Sequence, residues 1–221
     1  MQVKPMTQNF MPDSGVVDRA LDHIANRSTD RGKDVWREPV ENYSSPERLA
    51  RELSLFKSVP TPFCPSTALK NPGDYIARRA AGTPLIVVRG KDGKPRAFKN
   101  ACRHRGMILL EEKRNIQGAL RCPYHSWCYD LKGRLRATPH VGGPGQNTHA
   151  GIDRNTLGLI EVRSHVWFGV VWINVSGDAP AFEDAMSDLL DRWAEFDKPL
   201  YHGGAESRYS RTRKDHRPAQ R

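Results

Sequence analysis

Two short segments of this 221-residue chain each carry one cysteine and one histidine: CRHRG at 102–106 and CPYHSWCYD at 122–130. Seventeen residues lie between His104 and Cys122. For the four side chains to act together, the chain must fold back and present two neighbouring loop tips. The intervening run MILLEEKRNIQGALR is suited to a hairpin that would do this. Gly106 and Pro123 permit tight turns, with backbone amides close to whatever the loops hold.

Cysteines with nearby histidines in a cytosolic chain point to metal ligation before disulfides. Zinc modules pair like with like, as in C-x2-C followed by H-x3-H. Here each loop mixes the two types. Two thiolates on one iron and two imidazoles on the other is what the Rieske form of a 2Fe-2S cluster requires. Cys102, His104, Cys122 and His125 are therefore assigned as its ligands, with a zinc-stabilised binding module as the alternative.

The flanking sequence predicts a mostly β fold. Strand candidates run at 74–78, 85–89, 96–99, 119–121, 127–129, 134–136, 159–163 and 166–175. Lys91-Asp92-Gly93-Lys94 and Lys132-Gly133 are turn signals, since Gly tolerates the positive φ a hairpin needs. Such a series argues an antiparallel β-sandwich or barrel. Residues 140–151 are Gly-rich and read as a loop. Helices are predicted at three places. Val16, Val17, Ala20, Leu21 and Ile24 share one face of the first. Ser45-Pro46-Glu47 starts the second, with Leu49, Leu53 and Phe56 on one side and Pro60 and Pro62 as terminators. The third runs from about Pro180, with Phe182, Ala185, Met186, Leu189, Leu190, Trp193 and Phe196 as a packing stripe.

CRHRG with CPYHSWCYDLKG resembles the Rieske domain of ring-hydroxylating oxygenase α (large) subunits, the Rieske non-haem iron oxygenases. SSPERLARELSLF is similar to the helix those subunits place before the domain. NPGDYIARRAAGTPLIVVRGKDGKPRAFKNACRHRG is similar to their entry into the first loop, and LGLIEVRSHVWFGVVWINVSG to the strand that closes it. The resemblance spans roughly residues 43–200. It implies a Rieske domain at 59–178, a helical extension at 1–58, and a helix at 179–200 leading toward a catalytic domain. It also implies a ferredoxin or flavin reductase as electron donor, a homo-oligomer built partly through that domain, and an aromatic substrate. His125 would be the exit for the electron.

The family usually has glycine after the second histidine, where this chain has Ser126. The extra loop cysteines and cluster-bonding serine of respiratory Rieske proteins are replaced by Met107, Tyr124 and Trp127. Fewer hydrogen bonds imply a low-potential cluster. Tyr124 and Trp127 are expected to shield it from water. Cys128 reads as a small buried strand residue, Cys64 as a packing or surface thiol, and Arg103 and Arg105 as loop charges or partner contacts. The remaining histidines have no partner spacing.

The family's mononuclear iron needs a D-x2-H-x4-H segment, which this chain lacks; Asp197 and His202 are wrongly spaced, and Asp215 adjoins His216. The chain is thus expected to be a large subunit shortened before its catalytic domain by loss of reading frame near residue 205. A free-standing Rieske ferredoxin is the alternative.

Of the formal charge of +10, the last 21 residues hold six basic against two acidic side chains. They read as a disordered basic tail. No nucleic-acid signature accompanies the charge, and no run approaches the roughly 20 apolar residues that span a bilayer. A cytoplasmic protein that binds neither nucleic acid nor membrane is expected.

Overall fold

The computed structural model describes residues 13–194. The chain divides between Ser45 and Pro46 into two units. The first contains helix α1 (Asp13–Ala25) and the single turn α2 (Glu41–Ser44). Helix α1 lies where apolar periodicity predicts it, yet Val16, Val17, Leu21 and Ile24 are all more than half exposed.

The second unit opens with helix α3 (Pro46–Ser58), its proline at the first helical position, where the missing N–H costs nothing. Then come ten strands: β1 (Thr61–Pro65), β2 (Asp74–Ala80), β3 (Thr83–Arg89), β4 (Pro95–Lys99), β5 (Lys113–Asn115), β6 (Leu120–Arg121), β7 (Cys128–Tyr129), β8 (Leu135–Ala137), β9 (Glu161–Trp167) and β10 (Val170–Asn174). Seven form one sheet in the order β1-β10-β9-β4-β3-β2-β5, and β6-β7-β8 form a second. Every pairing is antiparallel. The fold is the mostly β, antiparallel one that the sequence implies. The Lys57 carbonyl at the end of α3 accepts from the Asn174 side chain at 3.0 Å and from the Ser176 amide at 2.9 Å, tying that helix to β10.

Strand β3 explains how the unit is built. Successive side chains of a strand face opposite ways, and here both faces are covered. Leu85 and Val87 enter one core with Phe63, Cys64, Val162, Val171 and Ile173. Ile86 and Val88 enter another with Cys102, Cys122, Trp127, Tyr129 and Leu135. Those four β3 residues are fully buried, so its sequence reads as a continuous apolar run. Phe98 of β4 extends the second core to the small sheet. There Gly133, at φ +78°, sits where a Cβ would fall 2.5 Å from the Phe98 ring.

Four expectations are corrected. Residues 166–175 are not one strand. They split into the end of β9 and all of β10, around Phe168 (φ +49°) and Gly169 (φ +72°). Two positive φ values make the mirror-image turn that suits a twisted hairpin. Residues 107–121 do not pair with themselves: β5 joins the edge of the large sheet through β2, and β6 joins β7. Thr61–Pro65, not among the expected strands, is a strand with a register shift between Pro62 and Cys64; it lies at the sheet edge, where proline's missing donor is tolerated. The third helix is two short ones, α4 (Phe182–Ala185) and α5 (Ser187–Trp193), broken at Met186 (φ −120°, ψ 15°). Of its predicted stripe, Phe182 alone is buried among the described residues. Phe196, the tail at 201–221 and residues 1–12 lie outside the described residues.

Candidate metal centre

The two Cys/His segments form loops with the same hydrogen-bond pattern. In loop 1 the Cys102 amide donates to the Met107 carbonyl at 2.8 Å, and the Gly106 amide donates to the Cys102 carbonyl at 2.8 Å. In loop 2 the Cys122 amide donates to the Trp127 carbonyl at 2.8 Å, and the Ser126 amide to the Cys122 carbonyl at 3.0 Å. The closing residue of each turn has positive φ, Gly106 at +71° and Ser126 at +58°. The loops hang from different sheets. Loop 1 follows β4, and loop 2 connects β6 to β7.

Folding brings the four predicted ligands together. Cys102 and Cys122 are 3% and 2% exposed and share one core. The His104 and His125 rings lie edge to face with centroids 4.6 Å apart. Trp127, buried beneath them, stacks on His104 at 4.8 Å and 9°. Tyr124 lies on His125 at 3.7 Å but is itself 58% exposed, so of the two expected shields only Trp127 is buried.

Among the described residues, two buried side-chain nitrogens find no hydrogen-bond partner: Nδ1 of His104 and Nδ1 of His125. A buried polar atom left unpaired costs about 1–3 kcal/mol, and natural folds seldom leave one without a reason. Two such atoms on adjacent rings, beside two buried thiols, fit a group that takes two nitrogen and two sulfur ligands. No three or more His, Cys, Asp or Glu side chains among the described residues are placed to hold a single ion. A two-iron cluster divides its four ligands between two metals.

The electrostatics of His104 favour the same use. Burial pushes the His104 imidazole down from its ordinary value, and the charges of His125 and Arg105 add to this, so the neutral, ligating form is preferred. Burial pushes the Cys102 thiol up, against the pull of a hydrogen bond from Tyr129.

Sequence reasoning missed Tyr129 and Asn100. The fully buried Tyr129 hydroxyl lies 3.3 Å from Cys102 Sγ and accepts from the Arg103 amide at 3.0 Å. It ties the small sheet to loop 1. Asn100, 4% exposed, accepts from the Leu109 and Leu110 amides at 3.0 and 3.2 Å and donates to the Leu110 carbonyl at 2.7 Å. It clamps the two ends of loop 1 together. The one clue to each was its polar character beside a ligand or within an apolar strand.

All four cysteines are buried free thiols. Cys64 packs in the core across the sheet, and Cys128 donates its S–H to the Ser126 carbonyl at 3.1 Å. Arg103 and Arg105 are exposed on loop 1. His23 contacts Asp30 and Ser28, His165 stacks on Phe182, and His140 and His149 accept from backbone amides. His202 and His216 lie outside the described residues. No helix among the described residues is long and apolar enough to cross a membrane.

The profile of the Rieske [2Fe-2S] domain matches residues 59–152. That stretch is a Rieske domain. Large subunits of Rieske oxygenases are among the proteins it resembles. The chain is 33% identical over 129 residues to the alpha subunit of 2-aminobenzenesulfonate 2,3-dioxygenase of Alcaligenes sp, covering 58% of this chain and 32% of that one. It is 30% identical over 158 residues to the carnitine monooxygenase oxygenase subunit of Escherichia coli K12, covering 71% and 41%. The structure of the quaternary ammonium Rieske monooxygenase CntA superposes with a TM-score of 0.63 at 26% identity, over 73% of this chain and 46% of that one. The chain thus spans less than half the length of these relatives.

Proposed function

We propose that this chain is the electron-transfer portion of a Rieske oxygenase large subunit, with Cys102 and Cys122 holding one iron and His104 and His125, through Nδ1, the other. The observation that carries the ligand assignment is the pair of unpartnered Nδ1 atoms beside two buried thiols. A Rieske cluster supplies one-electron transfer at a potential set by its ligands and their hydrogen bonds. The chain's own residues do the rest. The matched turns of the two loops present the four ligands, Trp127 excludes water on one side, and Tyr129 donates toward Cys102 Sγ. His104 and His125, part-exposed, are the edge through which an electron crosses.

A reductase or ferredoxin is the donor in this reading. Arg103 and Arg105 beside the histidine edge favour an acidic one. Oxygenation belongs to the part of such subunits that this chain does not span. The relatives' names put aromatic and quaternary ammonium substrates on an equal footing, so an aromatic substrate is not favoured over the other. The domain at 59–178, an oligomer of large subunits and a cytoplasmic location complete the proposal.

Reconstitution with iron and sulfide tests the ligands. The reduced protein should give the rhombic electron paramagnetic resonance signal of a histidine-ligated pair. His104→Ala and His125→Ala should each abolish it, and His140→Ala should not. An all-thiolate signal, or retention of zinc in its place, refutes the assignment.

A further inference from the structure

We propose that Cys128 is a positioning residue: its thiol holds Ser126, and with it the turn that carries His125, in a left-handed conformation. This rests on the ligand assignment above.

The two loops make the same turn from different residues. Gly106 takes its φ of +71° freely, having no Cβ. Ser126, at φ +58° in the equivalent place, is an L-residue in a region its side chain disfavours. Such a residue persists only where its surroundings over-determine it. Loop 2 has the means. The Ser126 amide donates to the Cys122 carbonyl at 3.0 Å, as Gly106 does in loop 1. Its carbonyl then accepts the Cys128 S–H at 3.1 Å, so both backbone groups of the strained residue are committed.

Cys128 is well placed to anchor. It is 8% exposed, and strand β7 fixes its backbone between Arg121 of β6 and Ala137 of β8. The contact also accounts for a thiol three residues beyond a ligand that is not itself assigned to a metal. Its hydrogen faces a carbonyl.

A double-mutant cycle in the full chain, reconstituted with iron and sulfide, tests the coupling. The rate of cluster loss to a chelator and the width of the reduced paramagnetic signal are measured. Cys128→Val, which fills the space without a donor, should speed cluster loss about fivefold, the equivalent of one net hydrogen bond, and broaden the signal. Cys128→Ser should restore both, since a hydroxyl can donate to the same carbonyl. In a Ser126→Gly background the valine change should move the rate within about twofold, because glycine needs no brace.

Equal effects in both backgrounds, a serine variant that behaves like the valine one, or a valine variant like the parent each overturn the proposal. Cys128→Ala replaces Cys128→Val if thermal unfolding shows the latter misfolded. A parent chain with no rhombic signal overturns the ligand assignment and this inference together, whereas a parent with the signal but no coupling overturns this inference alone.

Discussion

Tyr129→Phe removes one oxygen from a fully buried site and leaves the ring in place. The hydroxyl lies 3.3 Å from Cys102 Sγ, and burial, reinforced by the sulfur, holds its pKa well above the ordinary tyrosine value. It is therefore a neutral donor at any working pH. A hydrogen bond to a charged acceptor is worth about 1 kcal/mol more than one to a neutral acceptor. With Cys102 as the proposed ligand, its sulfur would be more negative in the reduced protein, so the bond would favour reduction. If it strengthens by about 0.5–1.5 kcal/mol on reduction, its loss lowers the midpoint by roughly 20–65 mV, taking 59 mV per tenfold for one electron. The Arg103 amide also loses its acceptor, at a cost of about 1–3 kcal/mol in stability. A redox titration followed by paramagnetic resonance measures the first effect, and thermal unfolding of the apo-chain the second. A midpoint that stays put or rises while the signal remains intact would refute the reasoning.

Three other outcomes follow from the same geometry. Cys64, whose thiol burial pushes up to about 11, should resist alkylation at pH 8 in the folded chain and react when denatured; equal rates in both states would show that its core is open. Asn100→Ala should cost about 2–4 kcal/mol, because two amides and a carbonyl of loop 1 lose their partner, and should release the cluster early in chelator challenge; an unchanged melting temperature contradicts the clamp. Asp92 is held well below the ordinary carboxylate range by Arg96, and Asp74 by the Asn71 amide and the Asn115 side chain. Folded values below the unfolded one of about 3.9 mean that both contribute stability above pH 4 and lose it as pH falls through their folded values. Asp92→Asn should therefore flatten the acid limb of the stability curve below pH 4 and leave stability above it offset but parallel.

Much of the site could be read from the chain because ligand chemistry demands particular residue types at short spacing. Cys102, His104, Cys122 and His125 could be proposed as ligands without any knowledge of the fold, and the fold brings them together. The strands β2, β3 and β4 were equally plain, since turn chemistry at Asp92-Gly93 and an unbroken apolar run are local signals. What sequence did not disclose was long-range or against type. Tyr129 acts on a residue 27 positions earlier. The turn at Phe168-Gly169 puts a bulky aromatic where asparagine or aspartate is usual, and β1 carries two prolines that a strand tolerates only at an edge. The stripe from Phe182 to Trp193 kept helical spacing across a break at Met186 that periodicity alone cannot reveal.

The alternation along β3 has a practical bearing on attempts to shrink or transplant this protein. Leu85 and Val87 look away from the ligand loops, and Ile86 and Val88 look toward them, so one stretch of backbone upholds two interiors at once. Excising the loops with the small sheet would strip Ile86, Val88 and Phe98 from beneath the thiols. Sliding β3 by one residue would exchange the two sets of side chains wholesale. A stripped-down version must bring the whole seven-stranded scaffold with it.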